Sequence, residues 1–177
     1  FGGTHVIRVA NNDKDAQPDF LFDFEQVFPI SEREFDAVLS LNTLEHIFKY
    51  AQFLSEVKRV LKPKGRVILA VPFLVQVHPS PSDFFRYSEQ ALMKILESAG
   101  FLEIVVTPVG RGPFTASAQM LYNTLRIAPL RSFSFVIALG LDKCLNLLTS
   151  ILKGKGTNHS SASFYPLGYL GTAMLPE

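Results

Sequence analysis

The stretch that decides the fold is Phe35-Asp36-Ala37-Val38-Leu39-Ser40-Leu41-Asn42-Thr43-Leu44-Glu45-His46, whose hydrophobic period changes midway. Residues 35–41 are almost continuously apolar, the composition of a parallel strand buried on both faces. From Leu44 the apolar residues recur as Leu44, Ile47, Phe48, Leu54, Val57 and Leu61, the three-to-four spacing of a helix with one buried stripe. Asn42 is a good helix N-cap, and Glu45 three residues on can reach back to it as in a capping box. The spacing therefore predicts a helix that starts at the carboxyl end of a strand, the place where open α/β sheets bind ligands.

Working outward, Lys62-Pro63-Lys64-Gly65 reads as the end of that helix, and Arg66 to Val71 as a second apolar strand. Strand, helix and strand make a βαβ unit, so the Phe35 and Arg66 strands are expected to lie adjacent and parallel. Ser88 caps a further helix with a stripe at Leu92, Ile95, Leu96 and Ala99, closed by Gly100, and Phe101 to Thr107 follows as a strand. Nearer the start, Thr4 to Val9 reads as a strand, Asn11 to Pro18 as a polar loop and Phe20 to Phe24 as a short apolar segment. Tyr165 to Met174 is expected to return to the sheet as an antiparallel strand.

As a set, FDAVLSLNTLEHI (35–47), FLSEVKRVLKPKGRVILAVP (53–72) and HPSPSDFFRYSEQALMKILESAGF (78–101) resemble the class I S-adenosylmethionine-dependent methyltransferases. The resemblance covers roughly residues 19–107 and returns at Tyr165-Pro166-Leu167-Gly168-Tyr169. It implies a Rossmann-like, mostly parallel sheet with a C-terminal antiparallel strand and a helical insertion. In that family the first strand ends in a glycine-rich loop. Gly2-Gly3 has neither a strand before it nor a helix after it, so the resemblance implies a chain lacking the first strand and that loop. The expected division is a partial α/β core over 1–109, a helical lobe over 110–163 and a final strand within 164–177.

At 177 residues and a net charge of +1, the chain has room for one core and a small lobe, and no strong field that argues for nucleic acid. Its single cysteine, Cys144, excludes an internal disulfide and fits a reducing, cytoplasmic setting. The segment Ser132 to Leu152 is greasy but interrupted by Gly140, Asp142, Lys143 and Asn146, which reads as too polar for a simple membrane span. The lobe, with helices expected over 114–127 and 133–152, still holds more apolar residues than one-sided packing needs. Arg126, Arg131, Lys143 and Lys153 beside them suggest peripheral contact with an anionic membrane; an extended core docked on the sheet accounts for the same residues equally well.

The resemblance places Asp23 where an acidic residue accepts the adenine amino group and Phe24 where a backbone meets the ring, and a carboxylate at a strand's end suits that task. Ser40, Leu41 and Asn42 at the mouth of the first long strand could face the cofactor's methionine end, although Asn42 serves equally as a cap. His78, Asp83, Arg86 and Tyr87 lie on the rim that would overhang a transferred methyl group. His78 is the candidate base for an acceptor's proton, and Asp83 could orient it. Arg86 could hold an anionic acceptor, or Asp83 and Arg86 could simply pair to fasten a proline-rich loop. Glu45 is assigned to the helix cap and His46 to packing. No metal set is expected, because His5, His46, His78 and His159 are far apart in sequence. Two functions are consistent with this reading: methyl transfer to a small-molecule, glycan or lipid-linked acceptor, and a non-catalytic α/β module that binds a partner.

Overall fold

The computed structural model describes residues 6–79, 82–122, 127–153 and 161–177. Two short strands, β1 (Ala10–Asn11) and β2 (Phe20–Leu21), form a small parallel pair. The main sheet holds β3 (Phe35–Leu41), β4 (Leu61–Pro72), β5 (Leu102–Val109) and β6 (Gly168–Met174), in the order β3-β4-β6-β5. As expected, β3 and β4 are adjacent and parallel, and β6 is antiparallel to both its neighbours, β4 and β5.

Three local expectations are corrected. The Thr4–Val9 strand is displaced to Ala10–Asn11, where the chain finds a partner in Phe20–Leu21; residues 6–9 are exposed, and Thr4 and His5 lie outside the described residues. The helix after β3 does not begin at Leu44. Asn42 takes a left-handed conformation (φ 49°) and gives its N–H to the Ala70 carbonyl at 2.9 Å, so it ends the strand pairing and caps no helix. Leu44–His46 form a single 3-10 turn, and α1 runs over Tyr50–Val60. β4 begins at once with Leu61 opposite Phe35, then residues 62–65 loop out before Arg66 pairs with Ala37. Gly65 closes that loop at very short range: a Cβ there would sit 2.8 Å from the Lys62 carbonyl oxygen and 3.2 Å from that of Asp36.

The helix α2 (Glu89–Ser98) is built as the sequence indicates, with Ser88 Oγ accepting the Ala91 N–H and Gly100 in the left-handed region (φ 86°). Both α1 and α2 pack on one face of the sheet, where Leu54, Val57, Leu92 and Leu96 meet Val67, Leu69 and Val71. The opposite face is uncovered. Leu39 and Leu41 on β3 and Val105 and Val109 on β5 are half or more exposed there, and β3 itself is an edge strand of this sheet, not the doubly buried central strand its composition suggested.

The lobe consists of α3 (Pro113–Leu121) and α4 (Ala128–Lys153), followed by the single turn α5 (Ser161–Phe164). Pro129 falls in the first turn of α4, where proline is tolerated, so it does not separate the helices. Asp142, 1% exposed, accepts the Phe114 and Thr115 N–H groups at 3.1 and 2.9 Å and so neutralises the N-terminus of α3. The polar interruption of the greasy segment is thus a packing contact. By length and composition alone, Ala128–Ile151 is nonetheless long and apolar enough to cross a membrane, with 11% of its most apolar 18-residue window buried.

The chain entering β3 is fastened to α1 by Glu56. Its carboxylate accepts the Phe28 N–H at 2.8 Å and pairs with Arg59, which also donates to the Ile30 and Phe28 carbonyls. The Arg59 hydrogen bond, opposed by burial and helped by the Phe28 amide, holds this carboxyl below its ordinary value of 4.5. A depressed folded value stabilises above that pH and is lost as pH falls through the folded value. Glu56→Gln should lower stability at pH 7 by about 1–3 kcal/mol. The difference from the parent chain, measured by urea melts, should shrink steadily below pH 4.5.

Candidate active site

Three segments converge at the carboxyl ends of β3 and β4. The loop after β2 reaches the far side of the 3-10 turn, because Glu25 Oε1 accepts the Phe48 and Lys49 N–H groups at 2.7 and 3.3 Å. The turn itself, Leu44–His46, follows β3 directly. The segment after β4 comes back over it, because the Glu45 carbonyl accepts the Phe84 and Phe85 N–H groups at 2.9 and 3.3 Å. Aromatic rings fill the seam: Phe48 lies 5.4 Å from Phe84 and stacks on Phe85, which in turn contacts Tyr50.

Glu45 lies at the centre. Its side chain is fully buried, and neither carboxylate oxygen has a hydrogen-bond partner among the described residues. The capping role assigned to it is therefore not realised; with Asn42 turned away, the carboxylate points inward. Burial raises its pKa, against the pull of its own backbone amide and of His46, His78 and Arg86. His46 Nε2 and His78 Nε2 each stand 3.7 Å from Glu45 Oε1, and the two rings meet edge to face at 5.1 Å. Each imidazole is oriented through its other nitrogen. His46 Nδ1 bonds the Ser82 carbonyl, and His78 Nδ1 bonds the Gln76 carbonyl at 3.0 Å. Since a carbonyl only accepts, both Nδ1 atoms carry a proton, and both Nε2 atoms face the carboxylate. Sequence reasoning missed this cluster because 32 positions separate His46 from His78; the contiguous Glu45-His46 pair directly after a strand was its one local signal.

Asp83 and Arg86 form the pair that fastens the loop. Arg86 donates from both terminal nitrogens to the two Asp83 oxygens and also reaches the Phe85 and Gln76 carbonyls. Asp83 further accepts the His78 N–H at 2.9 Å, and its Oδ2 lies 3.5 Å from His78 Nδ1. It thus positions His78 chiefly through the backbone. The Arg86 hydrogen bonds hold its carboxyl far below the usual carboxylate range. With this many partners the Arg86 head group acts first as a strut. Tyr87, expected on the rim, is instead 6% exposed against Phe85 and Tyr50, and burial pushes its hydroxyl well above its ordinary value.

The cofactor candidates divide. Asp23 is exposed at the end of β2 and gives one oxygen to the Glu25 N–H at 2.8 Å. Phe24 sends its ring into the cluster of Phe22, Phe28 and Phe53, so only its backbone faces outward with Asp23. Ser40 is buried with its hydroxyl unpartnered among the described residues, Leu41 lies on the face opposite the helices, and Asn42 turns the chain. An exposed carboxylate beyond the end of β2 and a reversed backbone at the end of β3 suit a cofactor with a purine at one end and an amino acid at the other.

A parallel βαβ unit, a last strand inserted antiparallel and a polar rim at the strand ends define an α/β methyltransferase fold. Residues 4–69 match the family described as "Methyltransferase domain". Over 79 residues the chain is 33% identical to a "Probable S-adenosylmethionine-dependent methyltransferase" of Mycolicibacterium smegmatis, a match covering 41% of this chain and 31% of that protein. Over 111 residues it is 27% identical to an O-methyltransferase of Aspergillus nomiae, covering 60% of this chain and 49% of the relative. In structure it is similar to a SAM-dependent methyltransferase from Archaeoglobus fulgidus, with a TM-score of 0.55 and 14% identity over 93% of this chain and 74% of that one. Fold and matches together liken the chain to the class I S-adenosylmethionine-dependent methyltransferases. The matched segments span about a third to a half of the curated relatives' length.

If the Asp83–Arg86 pair fixes His78, Arg86→Lys should release it while keeping the charge. The His78 amide, read by hydrogen exchange, should exchange at least about ten-fold faster, equivalent to ~1.4 kcal/mol of local opening. Unchanged protection there would show that the loop holds its shape without the pair.

Proposed function

We propose that the whole protein transfers a methyl group from S-adenosylmethionine to a hydroxyl of a lipid-linked or otherwise apolar acceptor. The observation that carries this reading is the convergence of the Asp23–Glu25 loop, the turn at Glu45-His46 and the His78–Arg86 segment on one strand-end rim. S-adenosylmethionine, when bound, supplies an electrophilic methyl group. Asp23 accepts its exocyclic amine, and the reversed backbone at Asn42 lines its amino-acid end. His78 Nε2 would take the acceptor's proton as the acceptor oxygen bonds the methyl carbon and the sulfonium's C–S bond breaks to leave the neutral thioether, and the Glu45 carboxylate would stabilise the resulting imidazolium. The O-methyltransferase relative supports a hydroxyl acceptor. A non-catalytic α/β module has one observation in its favour, the uncovered sheet face beside the β3 edge, which offers a partner an apolar surface.

In the whole protein, His78→Ala should lower kcat by about a hundred-fold or more. The S-adenosylmethionine Kd measured by calorimetry should stay within about three-fold, because the base acts on the acceptor and not on the sulfonium. Absence of calorimetric binding by the parent protein would favour the binding module.

The acceptor class is argued from the lobe. Phe133, Val136, Leu147 and Ile151 of α4 are each more than 60% exposed, and Met120 and Leu121 of α3 add to them. Asp142 commits one side of α4 to α3, so the remaining face is free to lie in a headgroup region, with Lys143 exposed beside it and Arg131 stacked on Tyr122. Arg126 and the Lys153 side chain lie outside the described residues. A peripheral membrane location for an otherwise cytoplasmic protein follows from this reading. The protein should pellet with vesicles containing anionic lipid, and Val136→Asp with Leu147→Asp should abolish pelleting while leaving the thermal midpoint within a few degrees. Equal recovery in the supernatant with and without vesicles would defeat it.

A further inference from the structure

We infer that Glu45, His46 and His78 form a binding site for a divalent transition-metal cation. Three potential donor groups converge here from two segments of the chain. Both Nδ1 protons are engaged by backbone carbonyls, so in the neutral rings the Nε2 atoms, each 3.7 Å from Glu45 Oε1, are the ones left with a lone pair for a cation. One donor atom from each of the three residues lies within 4.8 Å of the others. The Glu45 carboxylate is fully buried and unpartnered among the described residues, a state a buried anion tolerates only beside a positive charge.

Carbonyl-anchored imidazoles are the usual outer support of metal-ligating histidines, because the bond at one nitrogen fixes the lone pair at the other. Metal–ligand bonds of about 2.0–2.1 Å in a tetrahedral set put neighbouring donors roughly 3.3 Å apart. The two Glu45–histidine distances of 3.7 Å are already close to that, and the whole set, within 4.8 Å, comes into range by side-chain rotation of about 1.5 Å or less. Two imidazoles and one carboxylate suit zinc, cobalt, iron or manganese better than magnesium or calcium, which take oxygen donors. Three protein ligands leave a position open for an exogenous oxygen. If the proposed methyl transfer holds, that oxygen is the acceptor's, and the cation replaces His78 in lowering its proton affinity. This use rests on the function proposed above, whereas occupation of the site by metal does not.

The test uses the chain freed of metal with a chelator and titrated with Co2+, following visible absorption, with Zn2+ and Mg2+ as competitors. One Co2+ per chain is expected, displaced by Zn2+ and unaffected by millimolar Mg2+. His46→Ala and His78→Ala should each weaken binding by roughly a hundred-fold or more. Glu45→Gln should do the same; should that buried change unfold the chain, His78→Ala still decides, because this side chain is a third exposed on a loop. Absence of one-to-one binding, or an affinity unchanged in both histidine variants, overturns the site. Stoichiometric Co2+ binding without methyl transfer would keep the site and discard the function; turnover without Co2+ binding and insensitive to chelator would do the reverse.

Discussion

Glu45 is held firmly by its backbone and left unpaired by its side chain, and the functional end of the molecule is organised around that asymmetry. Its carbonyl takes two amides from the segment after β4, which fixes where Phe84 and Phe85 cross the 3-10 turn. Its carboxylate is then enclosed with two histidines and the Asp83–Arg86 pair close by. An ionised carboxylate without a hydrogen bond is costly to bury, so positively charged or electron-accepting company is a condition of this packing. The left-handed Asn42 makes the arrangement reachable, because it ends β3 and turns the chain inward within three residues.

Where local chemistry specified an element, the sequence was readable. β3 and β4 showed as apolar runs, and α2 showed both its ends, since Ser88 and Gly100 act within their own turns. The antiparallel return of β6 was also legible, but its place between β4 and β5 was not, since strand order is decided by packing and not by periodicity. The false start of α1 has a definite cause: Asn42 and Glu45 satisfy the pattern of a capping box, but a tertiary bond from Asn42 to Ala70 and the burial of Glu45 outweigh a cap worth about a kilocalorie. The candidate site was half legible. His78 and the Asp83–Arg86 pairing could be read from one loop, whereas the Glu45–His46–His78 cluster exists only after two connections fold over each other.

The lobe shows the same limit from the other side. Asp142 looked like an interruption of a greasy helix, yet it is the buried acceptor for two amides at the start of α3. One polar side chain thereby holds the pair α3–α4 together while the exposed apolar residues stay on the outside. Composition counts such a residue against an apolar surface; its geometry leaves that surface intact.

The insertion of β6 also sets the order in which the molecule can be made. β4 and β5 do not pair with each other; β4 has β3 on one side, but its other edge and the whole pairing of β5 wait for β6, which starts 59 residues beyond the end of β5, counting from Val109 to Gly168, and 96 beyond the end of β4, counting from Pro72. At ribosomal speeds of roughly 5–20 residues per second, β5 therefore waits about 3–12 s and the free edge of β4 about 5–19 s before the strand that joins them is translated. The Phe73 amide bonds the Leu167 carbonyl just before β6, so the segment leading to His78 is anchored in the same late event. The reactive rim is thus assembled last, and until then a nascent chain presents two apolar strand edges that a chaperone, or another nascent chain, can occupy.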